Sequence, residues 1–225
     1  MRVGVFGGSF DPIHLGHLLV ADDVKRKLKL ERVLFIPTFQ PPHRTAPLAP
    51  YHHRQTMVQL AIKSNPLFTL SRIEENQPAP SYTIHTLQNL AKLSPNYRLY
   101  LIIGYDQYWT MKTWYRSEEI TELARLVVVS RPGFNQPPLL PAHNRHQVIF
   151  LQVIPVAIAA AAIRARIARG MSIRYLVPSK VADYIYQHRL YCPAQGLVSL
   201  RAEGSGVEES LVEFKYSNQK RRQNV

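Results

Sequence analysis

The first eighteen residues restrict this chain more than any other stretch: Met1 to Leu18 reads M-R-V-G-V-F-G-G-S-F-D-P-I-H-L-G-H-L. Arg2 to Phe6 is β-prone, with Val3 and Val5 on one face. Gly7 and Gly8 permit backbone conformations closed to other residues and let a ligand come close. Asp11-Pro12 is a turn signal. Apolar residues at helical spacing follow from Leu15 to Leu28, with charges between them. A strand therefore feeds through a glycine turn into a helix N-terminus. Unpaired N–H groups and the helix dipole there attract anions such as phosphate.

His14-Leu15-Gly16-His17 sits at that junction. Histidines three residues apart share a helix face, and imidazoles donate hydrogen bonds to phosphate oxygens, more strongly when protonated. Gly16 leaves bare backbone between them. Two histidines this close can also serve a metal or lie idle on the surface, although no third ligand follows at a matching spacing.

The next segments repeat the alternation. Glu31 to Pro37 is a continuous apolar run, expected as a buried parallel strand. Strand, helix, strand over this length is a βαβ unit. Thr38 to Pro50 carries Pro41, Pro42, Pro47 and Pro50, an extended surface loop holding His43 and Arg44. Tyr51 to Ser64 reads as helix and Phe68 to Ile73 as strand. Ser81-Tyr82-Thr83 precedes an apolar-periodic helix, with Ser81 and Thr83 both candidate caps. Arg98 to Gly104 reads as another buried strand, and Asp106 just past it falls at the ligand edge of such a sheet. Leu126 to Ser130 and Val148 to Ile154 complete the strands.

Several of these stretches share one resemblance. G-G-S-F-D-P-I-H-L-G-H-L resembles the H-x-G-H nucleotidylyltransferase superfamily, in the wording of its bacterial nicotinate-nucleotide adenylyltransferase branch. Ile36-Pro37 with Pro41-Pro42-His43-Arg44 is similar to that branch's I-P-x(n)-P-P-H-K, with arginine for lysine. Ser81 to Leu87 reads S-Y-T-I-H-T-L against S-Y-T-x-D-T-L, so His85 replaces an aspartate. Gly104-Tyr105-Asp106, Trp114-Tyr115-Arg116 and Arg131-Pro132-Gly133 are similar to its G-x-D, W-x-R/K and R-P-G. Ile158 to Arg164 reads I-A-A-A-A-I-R where the branch has I-S-S-T-x-I-R; Ala159, Ala160 and Ala161 stand where hydroxyls grip a triphosphate. The closing segment Val177 to Tyr191 matches again.

The resemblance implies a Rossmann-like α/β domain over residues 1–195, an open parallel sheet with helices on both faces. It implies adenylyl transfer from ATP to nicotinate mononucleotide, giving deamido-NAD and pyrophosphate, with Mg²⁺ accompanying ATP. His14 and His17 are the catalytic candidates. Gly7, Gly8, Ser9, Phe10, Gly16, Arg44, Asp106, Arg131, Ile163 and Arg164 are the ATP-binding candidates, and Thr83, Trp114 and Tyr115 face the nicotinate end. No protein metal site is expected. The triple alanine keeps open a weakened or silent nucleotide-binding homologue; another nucleotidylyltransferase of the superfamily is the remaining alternative.

Composition bounds the rest. At 225 residues with 46% apolar content the chain suits one well-buried domain. A formal charge of +13 suits nucleotides. It favours nucleic acid only weakly, with no zinc-finger, RRM or KH signature. The lone cysteine, Cys192, fits a reducing cytoplasm. The opening stretch does not read as a signal peptide, and the longest apolar run, Val153 to Ile163, is too short to span a bilayer. Residues 196–225 fall outside the resemblance and read as an extension, a hairpin candidate followed by a basic, disordered tail. Oligomeric state is left open.

Overall fold

The computed structural model describes residues 1–42, 48–130, 139 and 146–193. The strands are β1 (Arg2–Gly8), β2 (Arg32–Pro37), β3 (Phe68–Leu70), β4 (Arg98–Gly104), β5 (Ala124–Ser130) and β6 (Val148–Gln152). The helices are α1 (Leu15–Lys27), α2 (Tyr51–Ile62), α3 (Thr83–Leu93), α4 (Tyr105–Thr110), α5 (Ser117–Leu123), α6 (Ala160–Ala168) and α7 (Ser179–Gln187). All strand pairs are parallel, and the sheet order is β3-β2-β1-β4-β5-β6. Val5 lies opposite Leu34 on one side and Leu101 on the other. The order reverses between β1 and β4, and open α/β sheets bind ligands beyond the strand ends at such a reversal.

Alternation along the strands sends apolar side chains to both faces. Phe6, Phe35, Ile102 and Val127 pack with α1, α2, α6 and α7. Val3, Val5, Leu101 and Val128 pack with Ile84 and Leu87 of α3, Tyr108 of α4 and Ile120 of α5. Continuous apolar runs are what a sheet buried on both faces requires. The expected α/β architecture, with helices on both faces, is therefore present.

The boundaries differ where side chains compete with the sheet. β3 stops at Leu70, short of Ile73, because residues Ile73–Asn76 turn as a 3₁₀ helix that brings Glu74 back to the Phe39 N–H at 3.0 Å. β6 ends at Gln152, before Ile154. Neither Ser81 nor Thr83 is the N-cap of α3; Tyr82 holds that position. Ser81 is drawn instead to the loop after β2, where its Oγ accepts the Gln40 N–H at 3.1 Å and its own N–H donates to the Gln40 carbonyl at 2.8 Å. The extension at 196–225 lies outside the described residues.

Among the described residues no helix is long and apolar enough to cross a membrane.

Candidate active site

Two cavities open beyond the C-terminal ends of β1 and β4. One holds about 440 Å³ and is lined by Thr83, Trp114, Tyr115, Thr38, Pro41 and Glu74, among others. The second holds about 630 Å³ and is lined by Phe10, Asp11, His17, Asp106, Ala160 and Arg164, among others. Gly7, Gly8, Ser9 and Gln107 line both. The glycine turn thus forms the floor shared by two neighbouring compartments.

His14 is the N-cap of α1 in extended conformation, and His17 is the third residue of that helix. Their rings stack at 3.7 Å between centroids. The His14 N–H donates to His17 Nδ1 at 3.2 Å. Neutral His17 therefore carries its proton on Nε2, which is left to meet a ligand in the larger cavity. His17 is also held edge-on by Phe10 at 5.1 Å. His14 is buried, and its Nδ1 has no partner among the described residues. Gly16, expected to leave bare backbone between the histidines, also makes room for a ring. A Cβ on Gly16 would meet His14 Nδ1 at 3.0 Å and Ile158 at 3.7 Å.

Burial pushes the His14 imidazole down to about 4, and burial together with the neighbouring His14 holds His17 well below the usual histidine range. Both rings are neutral donors and acceptors near pH 7 in the free protein. The folded state disfavours the proton that the unfolded chain accepts near 6.5. The stabilisation is thus complete above about 6.5 and is lost as pH falls towards 4, by roughly 3 kcal/mol for His14. Thermal melts from pH 7 to pH 4.5 should accordingly fall less steeply for His14→Asn than for the wild type. Parallel slopes would show that His14 does not titrate in this window.

A second network fixes the loops. Arg54 on α2 is 1% exposed and donates to the carbonyls of Ala49 (3.1 Å), Ser9 (2.7 Å) and Thr38 (2.8 Å). It ties the loops after β1 and β2 to the start of α2. Removing the guanidinium leaves three buried acceptors without their donor, so Arg54→Met is expected to cost about 3–5 kcal/mol. That corresponds to a melting temperature lower by roughly 10 °C for a domain of this size; a change under about 3 °C would show that water replaces the donor. Asp11 is 6% exposed and accepts the Leu48 N–H at 2.9 Å and the Ala49 N–H at 3.1 Å. Arg164 reaches from α6 to donate to the Asp11 carbonyl at 2.6 Å.

α6 opens at the larger cavity. Ala159 is its N-cap in extended conformation, without a side-chain cap, and Ala160 lines the cavity. The hydroxyls are missing, but the first-turn N–H groups of Ala160, Ala161 and Ala162 remain. In the smaller cavity the N-terminus of α3 begins at Thr83. Tyr82 and Tyr115 pack at 4.6 Å beside it, and His85 touches both rings at 5.7 and 5.8 Å. The residue that departs from the expected aspartate thus buttresses an aromatic rim and does not itself line the cavity.

The structure brings together Gly7, Gly8, Ser9, Phe10, His17, Asp106 and Arg164 around the larger cavity, and Thr83, Trp114 and Tyr115 around the smaller one. Gly104 leaves space for the Asp106 carboxylate to fold back: a Cβ there would lie 2.6 Å from its Oδ1. Ile163, expected at the ATP site, is fully buried in the core beneath α6, and its side chain lines neither cavity. Arg44 and Arg131 lie outside the described residues. The sequence reading missed the roles of Asp11 and Arg54 in shaping the site. Asp11 stood only as half of a turn signal, and an arginine inside a helix carries no mark of burial. Among the described residues no group of three His, Cys, Asp or Glu side chains is gathered to hold a metal ion.

Comparison with known proteins agrees with this fold. Residues 5–169 match the cytidylyltransferase-like family. A probable nicotinate-nucleotide adenylyltransferase of Thermus thermophilus is 45% identical over 193 residues, covering 85% of this chain and 100% of that protein. One from Thermomicrobium roseum is 41% identical over 213 residues, covering 92% and 99%. Among solved structures, the Plasmodium falciparum nicotinic acid mononucleotide adenylyltransferase complexed with NaAD shares the fold at a TM-score of 0.69. Its sequence identity is 18%, with 84% of this chain and 97% of that one covered.

Proposed function

The chain belongs to the nicotinate-nucleotide adenylyltransferases, within the cytidylyltransferase-like family, and from that premise we infer that it transfers the adenylyl group of ATP to nicotinate mononucleotide. The products are deamido-NAD and pyrophosphate. The observation that carries this reading is the pair of compartments joined over Gly7, Gly8 and Ser9. Two nucleotides seated in them present their phosphates to one another at the shared floor.

The reaction needs little covalent help from the protein. A phosphate oxygen of the mononucleotide forms a bond to the α-phosphorus of ATP, and the bond from that phosphorus to the bridging oxygen of pyrophosphate breaks. The attacking phosphate is largely dianionic at pH 7 and needs no general base. Catalysis is then alignment plus stabilisation of charge on the phosphoryl oxygens. His17 Nε2–H, Arg164 and the first-turn N–H groups of α6 supply that stabilisation. His14 orients His17 through its backbone and by stacking, while its own ring is buried and lines neither cavity. Arg44 and Arg131 add cationic donors. Phe10 and Asp106 complete the ATP side; Gly16 and Ile163 line neither cavity.

In the smaller compartment Trp114 and Tyr115 offer faces for the pyridine ring. Thr83 and the N-terminus of α3 offer donors for its carboxylate. Family membership implies metal-assisted transfer, and Mg²⁺ fits as an ion carried by the nucleotide. Such an ion would take its ligands mostly from the nucleotide and water and would ask little of the protein. Of the carboxylates lining the larger cavity, Asp11 is engaged in the fold, and Asp106 is the one exposed to such an ion. The ion neutralises phosphate charge when bound.

Pyrophosphate release with ATP and Mg²⁺ tests the reading, run with nicotinate mononucleotide beside nicotinamide mononucleotide. Turnover is expected with the nicotinate form in preference. Preference for the nicotinamide form, or none with either, would overturn it.

A further inference from the structure

Near the end of the described chain lies a residue with no evident part in the chemistry above but a direct contact to the ATP compartment. Tyr191 sits in the left-handed backbone region at φ 64°, and Arg189 two residues earlier does so at φ 50°. Such backbone is uncommon for bulky side chains and persists where surrounding contacts over-determine it. Leu190 between them is 9% exposed and anchored in the core. The Tyr191 hydroxyl donates to Asp11 Oδ1 at 2.7 Å across 180 residues of sequence. The strained turn delivers one hydroxyl to one carboxylate.

That carboxylate faces Arg164. Asp11 Oδ1 also accepts the Ala49 N–H, and Oδ2 accepts the Leu48 N–H. With three neutral donors on the carboxylate, Arg164 stands off at 3.8 Å from Oδ2. It binds the Asp11 backbone carbonyl instead, through Nη1. Among the described residues its Nε and Nη2 have no partner, and the side chain lines the cavity. Burial first, and then the adjacent Asp11, push the Tyr191 phenol far above its usual range, so it stays a donor at any working pH.

We propose that Tyr191 is a positioning residue for ATP: by occupying the Asp11 carboxylate, its hydroxyl keeps Arg164 at the cavity wall with donors open to the triphosphate. Without that hydroxyl, Asp11 Oδ1 retains only the Ala49 N–H. The guanidinium can then close onto the carboxylate as a charge-assisted pair. Each donor drawn to Asp11 is one withdrawn from phosphate.

This inference rests on the ATP site assigned above, and its test reads ATP binding separately from turnover. Tyr191→Phe keeps the ring that packs on the core and removes only the hydroxyl. Calorimetric titration with ATP and Mg²⁺ should show affinity reduced about fivefold to tenfold, as expected for weakening one charge-assisted contact. The KM for ATP should rise by a similar factor and kcat should fall with it, because Arg164 also meets the transition-state charge, while the KM for nicotinate mononucleotide changes less than about twofold. In an Arg164→Ala background the same substitution should cause no further loss, because the two residues act through one contact. ATP affinity unchanged by Tyr191→Phe would overturn the proposal. So would equal losses in both backgrounds, or parallel losses for both substrates with a lowered melting temperature. A wild type that binds ATP but does not turn over nicotinate mononucleotide would sink the assigned reaction alone, since the binding comparison still decides the role of Tyr191.

Discussion

Replacing His17 by alanine is expected to lower kcat about 100- to 1000-fold, the usual cost of deleting one donor aimed at transition-state charge. The ring is fixed on three sides: His14 N–H on Nδ1, the His14 ring stacked at 3.7 Å, and Phe10 edge-on. This fixes both the tautomer and the direction of Nε2–H, so no reorganisation is needed as charge develops. Amide substitutions separate the two nitrogens. His17→Asn can keep the acceptor for the His14 N–H but lacks reach to the Nε2 position. His17→Gln places an amide donor close to that position. We expect His17→Gln to retain at least tenfold more kcat than His17→Asn, with the KM for ATP moving less than kcat in both. Equal activities in the two variants would mean that the Nδ1 contact, and hence the loop geometry, is what matters. Melting temperatures separate that outcome from unfolding: His17 lies at the cavity wall, and its loss should cost the fold little beside Arg54→Met.

The parts of this site legible in sequence are those whose physics is local. A glycine turn, β-branched strand runs and a helix start with paired histidines lie within eighteen residues, and each property is set by neighbours in the chain. The carboxylate at Asp106 was legible for a related reason, since it follows directly on a strand end, whereas Trp114-Tyr115 stood out only through the resemblance. What escaped were interactions fixed by tertiary approach. Asp11 finds Leu48, Ala49 and Tyr191 at separations of 37, 38 and 180 residues. Arg54 is buried because three carbonyls converge on it, and carbonyls belong to every residue, so no pattern of side chains announces the spot. Ser81 shows the same limit from the other side. Its type and place before an apolar run predict a cap, yet the loop after β2 offers it two hydrogen bonds at once, and Tyr82 takes the cap position. Gly16 was read as bare backbone between two histidines, and the use of that space by the His14 ring is visible only in three dimensions.

Restoring hydroxyls at the start of α6 is expected to raise kcat about tenfold to a hundredfold, the second large effect. In the triple variant Ala159→Ser, Ala160→Ser, Ala161→Thr the backbone needs no rearrangement. The N-cap at Ala159 already has φ −123° and ψ 137°, the extended geometry in which a serine Oγ can accept a first-turn N–H. The three positions do different work. Ala160 lines the larger cavity, whereas Ala159 and Ala161 are exposed. A hydroxyl at 160 adds a donor to phosphate where the present chain relies on backbone N–H groups alone. One such donor is worth about 2.7–4 kcal/mol when fully expressed in the transition state. Discounting for the backbone donors already present leaves the stated range, at 1.36 kcal/mol per tenfold. Ala160→Ser alone should therefore carry most of the gain in kcat. Ala159→Ser should instead raise the melting temperature by roughly 2–4 °C through capping worth about 1 kcal/mol, with little change in rate. Steady-state pyrophosphate release and thermal melts on the three single variants distinguish these contributions. A gain confined to Ala159→Ser would mean the helix start is frayed and the rate is limited by its order. No gain in any variant would mean that the backbone N–H groups, aimed by the α6 dipole and joined by Arg164 and His17, already supply all the charge stabilisation this site can use.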